Sequence, residues 1–273
     1  MLRILDGVAR LRRSIAQRGL AKTVGNLADR IRNGSGAASS SIPIHDFDTE
    51  FGVDTSGIIS GRHLATGHAH DLYNTAYYGI APSLFRSLIE RWEATPRPYP
   101  TERYTFIDFG AGKGRAVMLA AERAFQAAIG VEIHPGLAEI ARVNLEKWGE
   151  KWSGARCPAS IRCQDATAFE FPSGPCVVYL FNPFSGAVLK RLIEHMEASF
   201  KDRPGELDLL YVNPEFEFLL HRSPGFSKLW EQRMLMSQMD AAYDAAILGG
   251  ETGGEYGTTG KEPCTLWRWT GRR

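Results

Sequence analysis

The chain has 273 residues, of which 44% are hydrophobic and 23% charged, and its formal net charge is +1. This length accommodates one full α/β domain with a modest additional segment, and the composition is that of an ordinary globular protein. No stretch approaches the roughly 18 consecutive apolar residues of a membrane-spanning helix, so the sequence predicts none.

The N-terminal segment, residues 1–33, is strongly basic. It carries eight Lys and Arg against two Asp, a balance of +6, and its apolar residues recur with helical spacing. A basic amphipathic helix of this kind can pack on its own domain, dock on a partner, or make a peripheral contact with an anionic membrane. An Arg-rich, acid-poor leader can also be an organellar transit peptide. The flexible linker NGSGAASSS follows, so residues 1–42 form the first predicted unit.

The remainder of the chain is mildly acidic. Its 24 basic and 29 acidic residues give a balance of −5. Affinity for nucleic acid comes largely from Lys and Arg side chains that neutralise phosphates. We therefore predict that nucleic acid is not a partner of this protein.

Residues 43–100 form the second predicted unit, a cap segment that ends in the helical-looking PSLFRSLIERW. From residue 101 onward, apolar runs alternate with helical stretches, which predicts a mostly parallel sheet with helices on both faces. The runs lie at 104–109, 127–131, 159–163, 175–181 and 207–212. Two late strands, FSKLWEQRMLM and PCTLWRW, are predicted to be antiparallel and to flank an exposed glycine-rich loop. Residues 101–273 are the third predicted unit.

A glycine-rich loop follows the first predicted strand, in FIDFGAGKGR at residues 106–115. Its glycines, Gly110, Gly112 and Gly114, are spaced G-x-G-x-G. A triphosphate-binding loop needs a longer spacing and a hydroxyl after the lysine, and neither is present. A dinucleotide-binding loop needs a glycine where this chain has Arg115. The spacing disfavours both kinds of phosphate ligand.

Three predicted strands end in a carboxylate. Asp108 stands two residues before Gly110, where it would repel a pyrophosphate but pair with an ammonium group. Glu132 ends the next strand, at the position from which a carboxylate accepts hydrogen bonds from ribose hydroxyls. Asp165 ends the third, where it can accept from an adenine amino group. Together they predict a ligand with a positive charge, a ribose and an adenine, which fits S-adenosylmethionine.

The motifs FIDFGAGKGR, GVEIHP, QDA and VVYLFNPF, in this order and spacing, resemble class I S-adenosylmethionine-dependent methyltransferases. With DTEFGVDTSGI and YYGIAPSLFRSLI upstream, the chain is similar to a bacterial subgroup whose substrates are mostly unassigned. The resemblance implies a Rossmann-like, seven-stranded, mostly parallel sheet whose last strand is antiparallel, beside the N-terminal helical extension. It also implies functions for the residues of the site. Asp108, Gly110, Gly112 and Gly114 would surround the methionine, Glu132 and Asp165 would bind ribose and adenine, and Tyr78 and Ser83 would close over the cofactor.

The reacting edge is predicted in YLFNPFSG, after the fourth strand. Asn182, Pro183 and Phe184 are similar to the N-P-P-Y/F motif of amino-group methyltransferases, with one proline fewer. The resemblance implies that the Asn side chain and the following carbonyl orient the nucleophilic NH group, and that the ring packs the substrate. The alternative is a strand-to-helix turn in which Asn caps the helix and Pro opens it. A second pair, Asn213-Pro214, invites the same two interpretations.

The sequence therefore predicts a methyltransferase that acts on a nitrogen of a protein side chain or a small molecule. Two alternatives remain: a catalytically silent S-adenosylmethionine-binding module that acts through its N-terminal helix, and a nicotinamide-dependent oxidoreductase. We expect a cytoplasmic location, with membrane contact through residues 1–33 as the open question. We expect no metal site, because His68, His70 and Asp71 stand close together without a second group of ligands.

Overall fold

The computed structural model describes residues 43–59, 77–252 and 260–271, without side chains at 248–252. The helices are α1 (Asp46–Phe51), α2 (Pro82–Glu93), α3 (Arg115–Ala121), α4 (Pro135–Lys151), α5 (Gly186–Ser199), α6 (Phe218–His221) and α7 (Gln238–Thr252). The strands are β1 (Ile58–Ile59), β2 (Tyr77–Tyr78), β3 (Thr105–Phe109), β4 (Ala127–Glu132), β5 (Ala159–Cys163), β6 (Cys176–Phe181), β7 (Leu207–Val212), β8 (Phe226–Leu235) and β9 (Lys261–Trp269). The predicted N-terminal helix, its linker and its membrane contact lie outside the described residues.

Seven strands form one sheet in the order β5-β4-β3-β6-β7-β9-β8. The strands from β3 to β7 run parallel, whereas β9 is antiparallel to both of its neighbours. The central strands are almost wholly buried, which is why they are continuous apolar runs rather than alternating ones. This order confirms the predicted Rossmann-like sheet with its antiparallel last strand.

Helices cover both faces of the sheet, as predicted. One hydrophobic core packs α2, α3 and α4 on the face that carries Phe106 and Tyr179. The other packs α5 on the face that carries Ile107 and Val178. The carboxyl ends of the five parallel strands therefore meet at one edge, between the two helical layers.

Two elements differ from the predictions. The alternation of apolar runs with helical stretches predicts a helix near 214–221, but only α6 at its end is helical, and Asn213 before it has a left-handed backbone (φ 51°). Helix α7, between β8 and β9, was not predicted at all. None of the helices in the described part of the chain is long and apolar enough to cross a membrane.

Candidate functional site

A pocket lies outside the carboxyl ends of β3, β4, β5 and β6, with about 1020 Å³ of empty space, part of it open to solvent. This is the edge at which open α/β sheets hold their ligands. Eight of the ten predicted site residues line it. They are Tyr78, Asp108, Gly110, Gly112, Glu132, Asp165, Pro183 and Phe184. Gly114 and Asn182 are not in the pocket wall.

The glycine loop after β3 passes close to two other parts of the pocket. Gly110 (φ 81°) leaves space for Pro183, since a Cβ atom on it would lie 2.5 Å from the Pro183 Cβ. Gly112 (φ 54°) leaves space for the Tyr77 ring, which a Cβ atom would approach to 2.4 Å. The loop therefore lies between the turn that holds Pro183 and the cap segment that holds Tyr77, and only glycine fits these two positions.

Gly114 has a different position from its two neighbours. It precedes α3 with φ 86°, and a Cβ atom there would come within 3.1 Å of the Ala141 Cβ on α4. Its small size therefore serves the start of α3 and the packing of α4, and the structure does not bring it to the pocket with the other predicted cofactor-binding residues.

Asp108 is the most unusual group of the pocket. It is buried on β3, and burial raises its pKa to about 8, with the nearby Glu132 charge adding to the rise. Among the described residues, no hydrogen-bond donor contributes a lowering of that pKa. A buried carboxylate without donors is costly unless a cation or donor joins it.

Glu132 ties the end of β4 to the glycine loop. Its carboxylate accepts hydrogen bonds from the Gly112 amide at 2.8 Å and from the His134 amide at 2.8 Å. Burial raises its pKa, and these two hydrogen bonds oppose the rise. The side chain is therefore fixed beside Asp108 at the pocket edge.

Asp165 follows β5 and opens a short 3₁₀ turn, Ala166–Ala168. Its carboxylate accepts from the Thr167 amide at 2.8 Å and from the Thr167 hydroxyl at 2.9 Å. It lines the same pocket as Asp108 and Glu132, on the third of the three adjacent strands.

The two cations of the glycine loop bind the cap segment. Lys113 donates to Asp54 at 2.7 Å, and Arg115 donates to the Thr55 hydroxyl at 2.7 Å and lies 3.6 Å from the Asp48 carboxylate. Both cations are buried. In the sequence, Arg115 served only as an argument against a dinucleotide-binding loop. In the structure, its hydrogen bond to Thr55 and its ion pair with Asp48 hold the cap segment over the pocket.

The roof of the pocket consists of residues 77–80 of the cap segment. The Tyr77 hydroxyl donates to the Thr55 carbonyl at 2.7 Å, and the Tyr78 hydroxyl donates to Asp244 on α7. Asp240, one turn earlier on α7, accepts from His45 at 3.0 Å and from Ser83. Ser83 thus supports the roof from behind.

Sequence reasoning missed the two carboxylates of α7. Asp240 and Asp244 are four residues apart and therefore lie on one face of the helix. That spacing within MDAAYDAAIL was the available signal, but the sequence does not say what the face contacts.

The turn after β6 holds the predicted reacting residues. Pro183 and Phe184 line the pocket, whereas the Asn182 amide donates to Glu215 at 3.2 Å and accepts from the Tyr211 hydroxyl at 3.3 Å. Asn182 has φ 46°, and α5 begins only at Gly186 after Ser185. The helix-capping alternative is therefore wrong for Asn182, and it is wrong for Asn213 for the same reason.

No metal-binding group of three or more His, Cys, Asp and Glu side chains occurs within the described ranges, and His68, His70 and Asp71 lie outside them. All four cysteines are free thiols, three of them buried. Burial raises the pKa of the Cys157 thiol to about 11.

Comparisons with known proteins concern the fold. No family model matches the chain, and no curated protein matches it. Among solved structures, it is similar to a SAM-dependent methyltransferase from Methanosarcina mazei (12% identity, 67% of this chain and 97% of that chain, TM-score 0.46). It is also similar to the ribosomal protein L11 methylase of Lactobacillus delbrueckii subsp. bulgaricus (13%, 68% and 77%, 0.41) and to the B. subtilis M1A22 tRNA methyltransferase TrmK (14%, 70% and 67%, 0.41).

One prediction needs correction. The acidic balance of the residues that follow the basic segment was taken to exclude nucleic acid as a partner, but a tRNA methyltransferase is among the solved structures similar to this chain, so the exclusion is not supported. Net charge summed over a chain does not report local basic surfaces, which decide contacts with phosphates. The strand order is that of a Rossmann-like fold, the fold that the resemblance to class I S-adenosylmethionine-dependent methyltransferases implied.

Proposed function

We propose that this protein is an S-adenosylmethionine-dependent methyltransferase. The observation that carries the proposal is the buried Asp108 carboxylate, which has a raised pKa and stands beside the glycine loop and two further carboxylates. An α-amino group is a cation of the right size to compensate it. Gly110 and Gly112 line the pocket, and their missing Cβ atoms let Pro183 and the Tyr77 ring pack against the loop at either side of it.

Each carboxylate has a proposed role at the cofactor. Asp108 would hold the ammonium group, Glu132 would accept from the ribose hydroxyls, and Asp165 would accept from the adenine amino group. Glu132 can keep its hydrogen bond to Gly112 meanwhile, because a carboxylate has about four acceptor sites. The bound cofactor supplies an electrophilic methyl group on a sulfonium.

Methyl transfer of this kind needs alignment and the exclusion of water more than acid-base chemistry. The roof residues Tyr77 and Tyr78 shield the pocket, and Pro183 and Phe184 form the wall at the reacting edge. We propose a nitrogen acceptor on a protein side chain or a small molecule, on the strength of the Asn-Pro-Phe turn. The Asn182 amide is held by Tyr211 and Glu215, so its proposed role is to fix that turn and its carbonyl groups.

The alternatives differ in their cofactor or in turnover. A nicotinamide-dependent oxidoreductase would bring a pyrophosphate beside Asp108 and Glu132, which two buried carboxylates disfavour. A silent module would bind S-adenosylmethionine without consuming it. We also propose that the protein is cytoplasmic and that residues 1–42, 43–100 and 101–273 act as tail, cap and catalytic domain.

Calorimetric titration tests the cofactor. We expect the full chain to bind S-adenosylmethionine and S-adenosylhomocysteine but not NAD⁺. Asp108→Asn should weaken binding of both by about 100-fold, because a charge-assisted hydrogen bond is lost. The control is Asp202→Asn, an exposed carboxylate. A folded protein that binds neither sulfur compound contradicts the proposal.

Label transfer tests turnover and the acceptor. The protein is incubated with methyl-labelled S-adenosylmethionine and, separately, with protein, RNA and small-molecule fractions of a cell extract. Label in the protein or small-molecule fraction supports the proposal, and label in RNA replaces the proposed acceptor. Asn182→Ala should keep cofactor affinity and slow the transfer; an unchanged rate removes the proposed role of the turn.

A further inference from the structure

A buried carboxylate stands directly behind the pocket roof. Tyr78 is part of the pocket wall, and its hydroxyl donates to Asp244 of α7. Asp244 is only 4% exposed. Burial raises the pKa of Tyr78 well above its usual value, so the phenol keeps its proton and donates a hydrogen bond to the carboxylate.

Asp244 keeps its charge near neutral pH. Burial raises its pKa to about 6, and the hydrogen bond from Tyr78 opposes the rise. The other charged or titratable groups that face it are Asp240 and Tyr243 of its own helix, Arg115 of α3 and His45 of the cap. Arg115 pairs with Asp48 and His45 with Asp240, and both also lower the pKa of Asp244, by less than burial raises it.

The Tyr78 ring extends over the reacting edge of the pocket. Its centroid lies 6.4 Å from that of Phe181, the last residue of β6, immediately before the Asn182-Pro183-Phe184 turn. The negative charge behind Tyr78 therefore acts on this end of the pocket, whereas Asp108, Glu132 and Asp165 lie at the ends of β3, β4 and β5.

We propose that Asp244, acting through Tyr78, makes the pocket prefer the positively charged cofactor S-adenosylmethionine over its neutral product S-adenosylhomocysteine. The inference rests on the proposed function. The two compounds share their amino acid, ribose and adenine, and differ by one methyl group and one unit of charge on sulfur. A group that separates them must sense that charge, and a buried carboxylate behind a neutral phenol does so without competing for the methyl group.

The expected size follows from electrostatics. A buried carboxylate that one phenol ring separates from the sulfonium attracts it through a medium of lower dielectric constant than water, and we expect this to change affinity by about tenfold. The functional consequence is exchange of spent product for fresh cofactor in a mixture of both.

The experiment measures dissociation constants of both compounds by calorimetry and compares their ratio between variants. Asp244→Asn keeps the shape and an acceptor for Tyr78 but removes the charge, so the preference should fall by about tenfold. Asp244→Glu keeps the charge and should keep most of the preference. The matched control is Ser83→Ala, which loosens the contact between α7 and the cap but removes no charge. It should weaken both compounds alike.

The outcomes separate the inference from the proposed function. Binding of neither compound to the unaltered protein removes the proposed function. Binding of both, with the same ratio in Asp244→Asn as in the unaltered protein, removes only the inference, as does an equal loss of the ratio in Ser83→Ala.

A second measurement needs no variant. The ratio in the unaltered protein should fall on acidification from pH 8 to pH 5, with a midpoint near pH 6, where Asp244 gains its proton. A ratio that does not change over this range, or that changes only near the pKa of about 8 of Asp108, contradicts the inference.

Discussion

Gly112 and Gly174 share a positive φ but have different surroundings. A Cβ atom on Gly112 would lie 2.4 Å from the Tyr77 ring, whereas one on Gly174 would meet only the Arg103 carbonyl, at 4.0 Å. We expect Gly174→Ala to cost about 1–2 kcal/mol of unfolding free energy, from backbone strain alone. Gly112→Ala should cost more and also weaken S-adenosylhomocysteine binding, because Tyr77 must move. Urea denaturation and calorimetry measure both quantities, and equal costs would contradict the close approach.

Asp108 should lower the unfolding free energy of the protein when no ligand is bound. Its folded-state carboxyl keeps its proton up to about pH 8, whereas an unfolded one releases it near 3.8. The unfolded state therefore binds fewer protons between these values, and the contribution of this group to stability falls as pH rises. Asp108→Asn avoids that cost. We expect the variant to be more stable, with a gain at pH 8.5 that exceeds the gain at pH 5 by at least about 1 kcal/mol.

Urea denaturation of both proteins at the two pH values checks this, with Asp202→Asn as the exposed control. A variant less stable than the unaltered protein at pH 8.5 would mean that Asp108 already has a partner. If Asp108→Asn is more stable and also binds the cofactor more weakly, Asp108 lowers stability in order to serve binding.

The position of a residue could be predicted from the sequence where it depends only on the direction and order of the strands. Asp108, Glu132 and Asp165 come at the ends of three parallel strands, and those ends must meet at one edge. Gly114 and Asn182 stand just as close to that edge in sequence. Both lie outside the pocket wall. Gly114 packs on Ala141 of α4. Asn182 has a left-handed backbone, and its side-chain amide is hydrogen-bonded to Tyr211 and Glu215.

At the scale of elements, α7 holds the cap segment over the pocket. Burial raises the pKa of Asp240, but the hydrogen bonds from His45 and Ser83 outweigh this and lower it to about 2. Because the unfolded value is 3.8, the stabilisation is fully present above about pH 4 and is lost as pH falls through about 2.

Asp240→Ala should therefore lose roughly 2 kcal/mol of unfolding free energy at pH 7. Amide hydrogen exchange at residues 77–81 should become faster, since the roof loses its support from behind. Mass spectrometry of exchange at pH 7 measures this, with the exposed Asp202→Ala as control. Unchanged exchange at 77–81 would mean that the roof does not depend on α7.

The order of elements could be predicted better than their contacts. The apolar runs predicted five parallel strands and the late antiparallel pair, because buried strands leave a continuous pattern in the sequence. Helix α7 was missed because it is inserted between two strands that pair with each other, and the sequence does not show which part of the chain it contacts. Arg115 was misjudged for the same reason, because its partners Asp48 and Thr55 stand about sixty residues earlier.

At the scale of the whole molecule, a polar cluster far from the pocket joins helix α2 to the sheet. Asp208, at the amino end of β7, is fully buried and accepts from Arg268 on β9 at 2.7 Å and from the Trp92 indole at 2.8 Å. Removing one member of a buried pair leaves an uncompensated charge and typically costs about 3–5 kcal/mol.

We therefore expect Arg268→Met to lower unfolding free energy by about 3–5 kcal/mol while the folded variant binds S-adenosylhomocysteine with unchanged affinity. Urea denaturation and calorimetry below the unfolding midpoint measure the two separately. Arg233→Met, on the exposed side of β8, is the control. A parallel loss of affinity would mean that this end of the sheet is coupled to the pocket.

The sequence by itself determined the parallel strands, their antiparallel partners and the three carboxylates at one edge of the sheet, because burial and hydrogen bonding impose periodic patterns that can be recognised in the sequence. Only the tertiary structure decided which side chains meet. It paired Tyr78 with Asp244, 166 residues apart, turned the loop cations Lys113 and Arg115 toward the cap, and held the Asn182 amide against Tyr211 and Glu215. Such contacts depend on how the cap segment, the loops and α7 pack against the sheet, and local sequence patterns do not encode that packing.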